Sequence, residues 1–180
     1  MRWLPYLILA YVTLGVQIGL GTYVSWHGAS PNLVLIVALF LALNAPRGAA
    51  LLGCFSLGLL QDLLSTTPPG LYALSYGLVA LVVVSASHVI GREHSLTHLG
   101  LGLFGGLVTA AVLSLHLILR PPGGRVTDAS GAALPAIRGP MLPLFIAAGY
   151  TALLAPAMLW ILQRLKRPFA FQGAYRRSFR

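Results

Sequence analysis

Residues 30–78 read SPNLVLIVALFLALNAPRGAALLGCFSLGLLQDLLSTTPPGLYALSYGL. Between Leu33 and Leu43 there is no charged or polar side chain, and the next apolar run, from Gly48, continues to Leu64 with only small polar interruptions until Gln61 and Asp62. Breakers separate the runs. Ser30-Pro31 reads as a cap followed by a proline at the first helical position, where its missing N–H costs nothing. Pro46 ends one run, and Pro68-Pro69-Gly70 forces a turn before another begins at Leu71. Long apolar runs punctuated in this way predict helices surrounded by lipid or by one another.

Working outward, the same reading gives six spans, at residues 4–24, 31–45, 48–64, 71–90, 96–119 and 141–163. Residues 1–163 then form one all-α polytopic membrane bundle of six transmembrane helices, and 164–180 a basic cytoplasmic tail. Composition agrees. The chain is 57% hydrophobic and 8% charged, with a mean hydropathy of +0.83, against about 25% charged residues in ordinary soluble proteins. A chain of 180 residues with so few charges cannot cover its own surface in water. The first apolar run is longer than a signal-peptide core and lacks a clean cleavage site, so it reads as a retained span.

Twelve basic residues against three acidic ones give a net charge of +9. They fall between apolar runs and at the C-terminus, where they act as orientation signals and contacts to anionic lipid. With the N-terminus inside, the cytoplasmic side holds Arg2, Arg47, Arg92, Arg164, Lys166, Arg167, Arg176, Arg177 and Arg180, and the other side Arg120, Arg125 and Arg138. Both termini are therefore expected in the cytoplasm and the chain in the inner membrane. Trp3, Trp26 and Trp160 fall near span ends, as amphipathic rings prefer. Outside the tail, no basic face with interleaved aromatics points to nucleic acid. The second and third spans reach only about 22 and 25 Å against a hydrocarbon core of roughly 30 Å, so they thin the bilayer, line a cavity or are sheltered by protein. The 120–140 segment is the largest external element, too polar and glycine-rich for a core.

Reactive chemistry has little to work with. Cys54 is alone, which rules out an intramolecular disulfide or a thiolate metal cage. His94 and His98 are one turn apart, but no third ligand has suitable spacing, so no metal is expected, and Ser95 reads as an N-cap beside them. His88 and His116 are expected to hydrogen-bond between helices. No nucleophile elbow or phosphate loop is present, and the three acids are scattered, so no catalytic residue and no cofactor is expected. Asp62, about 22 Å into the membrane from Arg47, admits two readings. It is a polar anchor or a proton or ligand site, or else a carboxyl satisfied by nearby backbone, hydroxyls or interfacial water. Gln17, Asn44 and Gln61 are amides at membrane depth that need partners. Gly15 and Gly19, Ala49 and Gly53, and Gly102 and Gly106 are small-residue pairs at helical spacing, suited to close helix packing within the chain or against a partner.

The stretch quoted above resembles the MreD family of rod shape-determining membrane proteins. Its pattern is carried by Pro31 and Asn32 opening the second span, Pro46 and Arg47 at the next turn, Gly58, Asp62 and Leu63, then Gly70, Ala73 and Leu74. The 120–140 loop and the arginine-rich tail are longer than the family pattern. The resemblance implies a non-catalytic scaffold of the machinery that directs lateral peptidoglycan synthesis and maintains cell shape. It implies binding to an MreC-type bitopic protein and, through it, connection to RodA with its class B penicillin-binding protein and, indirectly, to the MreB filament. It also implies a fold like that of the substrate-binding subunits of energy-coupling-factor transporters, six helices around an outward-facing pocket. On this reading Asp62 fixes the outer end of a partner site or braces the second and third spans. The tail holds lipid, or faces the filament together with Arg92. The alternative is a small-molecule-binding membrane subunit of a vitamin transporter, for which the outer segments offer Trp26, His27, Tyr72 and a few hydroxyls, and the first helix Gly15 and Gly19.

Overall fold

A computed structural model describes residues 3–21, 23, 29–65, 68–86, 95–119 and 142–169. Six helices follow one another: α1 (Trp3–Gly21), α2 (Leu33–Asn44), α3 (Arg47–Leu64), α4 (Leu71–Ala86), α5 (Ser95–Leu119) and α6 (Leu142–Phe169). The expected segments are all present as helices. α6 continues beyond residue 163 through Arg164, Lys166 and Arg167, so the start of the basic segment is helical. Arg47–Leu64, Thr97–His116 and Leu144–Arg164 are long and apolar enough to cross a membrane, and Leu4–Gly19, Leu33–Asn44 and Leu71–Ala86 are shorter apolar stretches.

The shortness of α2 has a simple cause: it is the axis of the bundle. Every residue from Leu33 to Leu43 is buried. The other five helices all contact it. A helix that is apolar all round has no face that needs water, so it can be packed by protein on every side. Of the three ways to accommodate a short span, shelter by protein is the one realised. The large apolar side chains of α1, α3, α5 and α6 point the other way. Tyr11, Leu63, Ile118 and Leu153 are each more than half exposed, forming an apolar outer surface that water would not tolerate at this density.

The helix boundaries follow from local chemistry, with one departure from expectation. The N-cap of α2 is Asn32, not Ser30, and Pro31 precedes the cap rather than opening the helix. Asn32 Oδ1 accepts from the Leu35 N–H at 3.0 Å. Asparagine is among the strongest N-caps, and it stands at the register that reaches this donor. At the turn into α3, Ala45 N–H donates to Leu41 O and Ala50 N–H to Pro46 O, so the two helices are joined by a single tight corner.

α5 and α6 form the most intimate pair. A Cβ added at Gly102 would lie 2.6 Å from Ala155 Cβ, and one at Gly106 would lie 2.8 Å from Ala148 Cα. This small-residue pair is thus consumed inside the chain. At Gly15 and Gly19 an added Cβ would meet nothing within 4 Å, so that face of α1 is unpacked. Gly53 is buried, and its carbonyl accepts from the Tyr6 hydroxyl at 3.1 Å, which ties α1 to α3. Cys54 is buried and its thiol donates to Ala38 O at 3.1 Å.

Candidate functional site

At the upper end of the bundle α1 and α3 finish while α2 and α4 begin, and there the polar residues converge. The first part of the site is a corner between α3 and α4. Gly58 sits where α3 meets the start of α4: an added Cβ would lie 2.5 Å from both Ala73 Cα and Tyr72 O. Those are backbone atoms, which cannot swing aside, so only glycine permits the approach. Gly70, at φ +103°, turns the chain into α4 through a conformation that L side chains rarely adopt.

One turn above Gly58, Asp62 closes this corner. Its Oδ2 accepts from Gly70 N–H at 2.9 Å and from Ala73 N–H at 3.0 Å, and its Oδ1 accepts from Tyr72 N–H at 3.0 Å. The residue is only 3% exposed. The first turn of any helix has N–H groups with no partner in the helix, and a carboxylate there is favoured by both hydrogen bonding and the helix dipole. Asp62 therefore caps α4 from another helix. Of the two readings of Asp62, satisfaction by neighbouring backbone is the one the geometry matches.

The second part is a network around Asn32 and Tyr76. Asn32 Nδ2 lies 2.7 Å from the Tyr76 hydroxyl, which in turn contacts Asn32 Oδ1 at 3.0 Å and makes a short bond to Gln61 Oε1. A hydroxyl has one hydrogen to give. Since Asn32 Oδ1 already receives the Leu35 N–H, the consistent assignment runs from the Asn32 amide to Tyr76 and from Tyr76 to Gln61. Tyr76 is fully buried, and this is how its hydroxyl is satisfied. Asn32 N–H donates to Thr151 Oγ1 at 2.9 Å, which brings in α6. Gln17 completes the set from α1: its Nε2 donates to Pro31 O at 3.0 Å and its Oε1 accepts from Leu33 N–H at 2.7 Å. Five helices are thus tied at one node by neutral groups.

Beside the node lies a cavity of about 170 Å³, lined by Gln17, Ser30, Asn32, Leu35, Gln61, Tyr72, Gly106, Thr109, Leu113, Leu144, Ala147 and Thr151 among others. Thr109 and Thr151 return their hydroxyl hydrogens to Gly105 O and Ala147 O of their own helices. The Tyr72 and Tyr76 rings are tilted against each other with centroids 5.9 Å apart.

The remaining expectations distribute as follows. Arg47 opens α3 and is exposed. Asn44 donates to Phe40 O of its own helix at 2.8 Å. His98 is buried and lies 3.4 Å from Gln163 Nε2, linking α5 to α6. His116 departs from expectation, since its Nε2 is buried with no hydrogen-bond partner among the described residues. Among the described residues no group of three potential metal ligands occurs. The Arg164 guanidinium stacks over Trp160 at 4.2 Å. His88, Arg92, His94, Trp26, His27, the 120–140 segment and Arg176, Arg177 and Arg180 lie outside the described residues. Tyr76 and Thr151 were not singled out from the sequence. The signal for Tyr76 was present, because a tyrosine hydroxyl within an apolar helix must find a partner.

An all-helical membrane bundle, wound around a buried central helix and locked at one end by neutral hydrogen bonds, is the class that fold and site define. Residues 1–120 match the sequence model of the family described as rod shape-determining protein MreD, which is two-thirds of the 180 residues. The chain belongs to the MreD family, whose members are shape-determining membrane proteins. No curated protein and no solved structure matches it.

Proposed function

We propose that this protein is a non-catalytic scaffold of the rod complex that docks the membrane helix of an MreC-type bitopic protein and so helps direct lateral peptidoglycan synthesis. Through that partner it meets RodA with its class B penicillin-binding protein, and the MreB filament indirectly. The observation that carries the reading is how the family-pattern residues are spent. Asn32, Gly58, Asp62 and Gly70 all serve caps and close approaches inside the bundle. A rigid body whose family-pattern residues are spent on its own caps and close approaches suits assembly rather than reaction.

All six helices lie across the inner membrane in this proposal, with both termini cytoplasmic, as the nine-to-three distribution of Lys and Arg favours. The node and its cavity then face the extracytoplasmic side. Arg164, Lys166, Arg167, Arg176, Arg177 and Arg180 hold the inner leaflet, each worth about 1 kcal/mol with anionic lipid. The packing of Gly102 and Gly106 against α6 leaves the unpacked Gly15–Gly19 face of α1 as the better place for a partner helix. The likeness to energy-coupling-factor subunits stays part of the proposal, supported by the helix count and the upper cavity. That cavity also favours the second reading, a small-molecule-binding subunit of a vitamin transporter.

The test is co-purification in mild detergent with the neighbouring MreC-type protein, using an unrelated single-span protein as control. A stoichiometric complex, weakened by Gly15→Leu or Gly19→Leu, supports the scaffold. Absence of the complex, with a tightly held vitamin-like molecule instead, overturns it in favour of the transporter subunit.

A further inference from the structure

The upper cavity has a chemical character that the scaffold reading does not use. Among the described residues its lining includes no Lys, Arg, His, Asp or Glu. Asp62, the one carboxylate among the described residues, has both oxygens engaged by the backbone N–H groups of Gly70, Tyr72 and Ala73. An ammonium ligand would find no free carboxylate, and an anion would find no cation. Burial of either without a counter-charge is strongly disfavoured. A purely apolar ligand is equally mismatched, because polar groups on the wall would lose water and gain nothing.

Those polar groups are specific. The assignment at Tyr76 uses Gln61 only through its Oε1, which leaves the Gln61 Nε2 hydrogens without a partner among the described residues. The Tyr72 and Ser30 hydroxyls likewise have none there, whereas Thr109, Thr151 and Gln17 are committed to backbone. Gln61 supplies donors, and the two hydroxyls either donate or accept. Leu113 and Leu144 are also part of the cavity lining. The volume, about 170 Å³, is close to that of an engineered protein cavity which admits a benzene ring, so a ring-sized group fits.

We propose that this cavity binds an uncharged, hydroxyl-bearing ring-sized group, such as a sugar, with Gln61, Tyr72 and Ser30 pairing its hydroxyls and the leucines covering its apolar face. The site rests on the scaffold reading only for the side of the membrane it faces, and its chemistry is independent of any partner protein. The same group reaches the cavity either as a free sugar or as the head of a glycolipid.

The experiment uses the full chain in detergent micelles, with binding read by native mass spectrometry and by titration. The probes are glucose, its cationic analogue glucosamine, its anionic analogue glucuronate, and glucosyl-diacylglycerol beside diacylglycerol. At least one neutral glucose probe is expected to bind roughly tenfold or more tightly than either charged sugar. Tyr72→Phe and Gln61→Leu are each expected to weaken it about tenfold, the effect of one lost hydrogen bond. Ala110→Phe, placed in the cavity wall, is expected to abolish binding. Binding of glucosyl-diacylglycerol that glucose does not displace assigns a lipid source, and displacement assigns a free sugar. The proposal is overturned if neither neutral probe binds, if the charged sugars bind equally well, or if Tyr72→Phe, which removes one oxygen, leaves affinity unchanged. Because no partner protein is present, a negative result here leaves co-purification with the MreC-type protein untouched, and failure of that co-purification leaves this result standing.

Discussion

Replacing Asp62 separates a cap from a docking residue, and the structure gives the scale of the effect. Asp62→Asn can keep its amide oxygen where Oδ2 now receives Gly70 and Ala73, but its NH2 group then faces the Tyr72 N–H, donor against donor. One lost bond of this kind costs about 1–2 kcal/mol. Asp62→Ala strands all three N–H groups. The one on Ala73 is buried while the bonds to Gly70 and Tyr72 are part-buried, so water recovers some of the loss and the total is about 3–5 kcal/mol. Cys54 makes this measurable without any engineering, because it is the sole cysteine and fully buried. A thiol-reactive dye labels it only as the bundle opens. Each 1.4 kcal/mol lost raises the open population about tenfold, so labelling of Asp62→Asn is expected to be about tenfold faster than wild type. Asp62→Ala is expected to be roughly two to three and a half orders of magnitude faster. If the alanine variant labels no faster than wild type, the cap is not what holds the corner. If it also loses the MreC-type partner while staying folded, Asp62 is a contact residue and the reasoning is refuted.

Other perturbations probe separate parts of the molecule. Gly58→Val places atoms inside the backbone of Tyr72 and Ala73, so a loss of about 3 kcal/mol or more is expected in the Cys54 labelling assay. Gly106→Leu is expected to be comparably damaging because Ala148 blocks the added atoms, whereas Gly15→Leu leaves the thermal midpoint unchanged. Tyr76→Phe strands the Asn32 amide and the Gln61 oxygen, costing about 1–3 kcal/mol by the same assay, with no loss of secondary structure by circular dichroism. Gly70→Ala forces an L side chain to φ +103° and is expected to cost about 1–2 kcal/mol in labelling rate.

The helices were legible in the sequence because apolar runs and breakers are local signals. α3 and α5 differ from their expected limits by single residues, and α4 begins at Leu71 as read. The start of α2 was misplaced since Ser30-Pro31 is a good local signal, yet Pro31 O and Leu33 N–H are held by Gln17, far along the chain. The role of Asp62 stayed open for the same reason. Its three donors lie eight to eleven residues ahead, across a turn, and no local capping pattern spans that distance. Gly58 was visible as part of a pattern, but only the crossing of two helices explains why a methyl group is forbidden there. A pocket was expected only through the family resemblance, and its lining could not be read from the residues, because its walls come from segments as far apart as Gln17 and Thr151.

The wholly buried α2 has a consequence for how the protein enters its membrane. Its twelve residues span about 18 Å, too little to be retained alone in a bilayer core of roughly 30 Å. The tight corner at Ala45 and Pro46 passes it directly to α3, which is itself long and apolar enough to cross a membrane. Until α4, α5 and α6 arrive, the growing chain has an apolar peg with only the α1 and α3 sides of its socket. Residence of this segment in the bilayer is then conferred by the finished fold rather than by its own length.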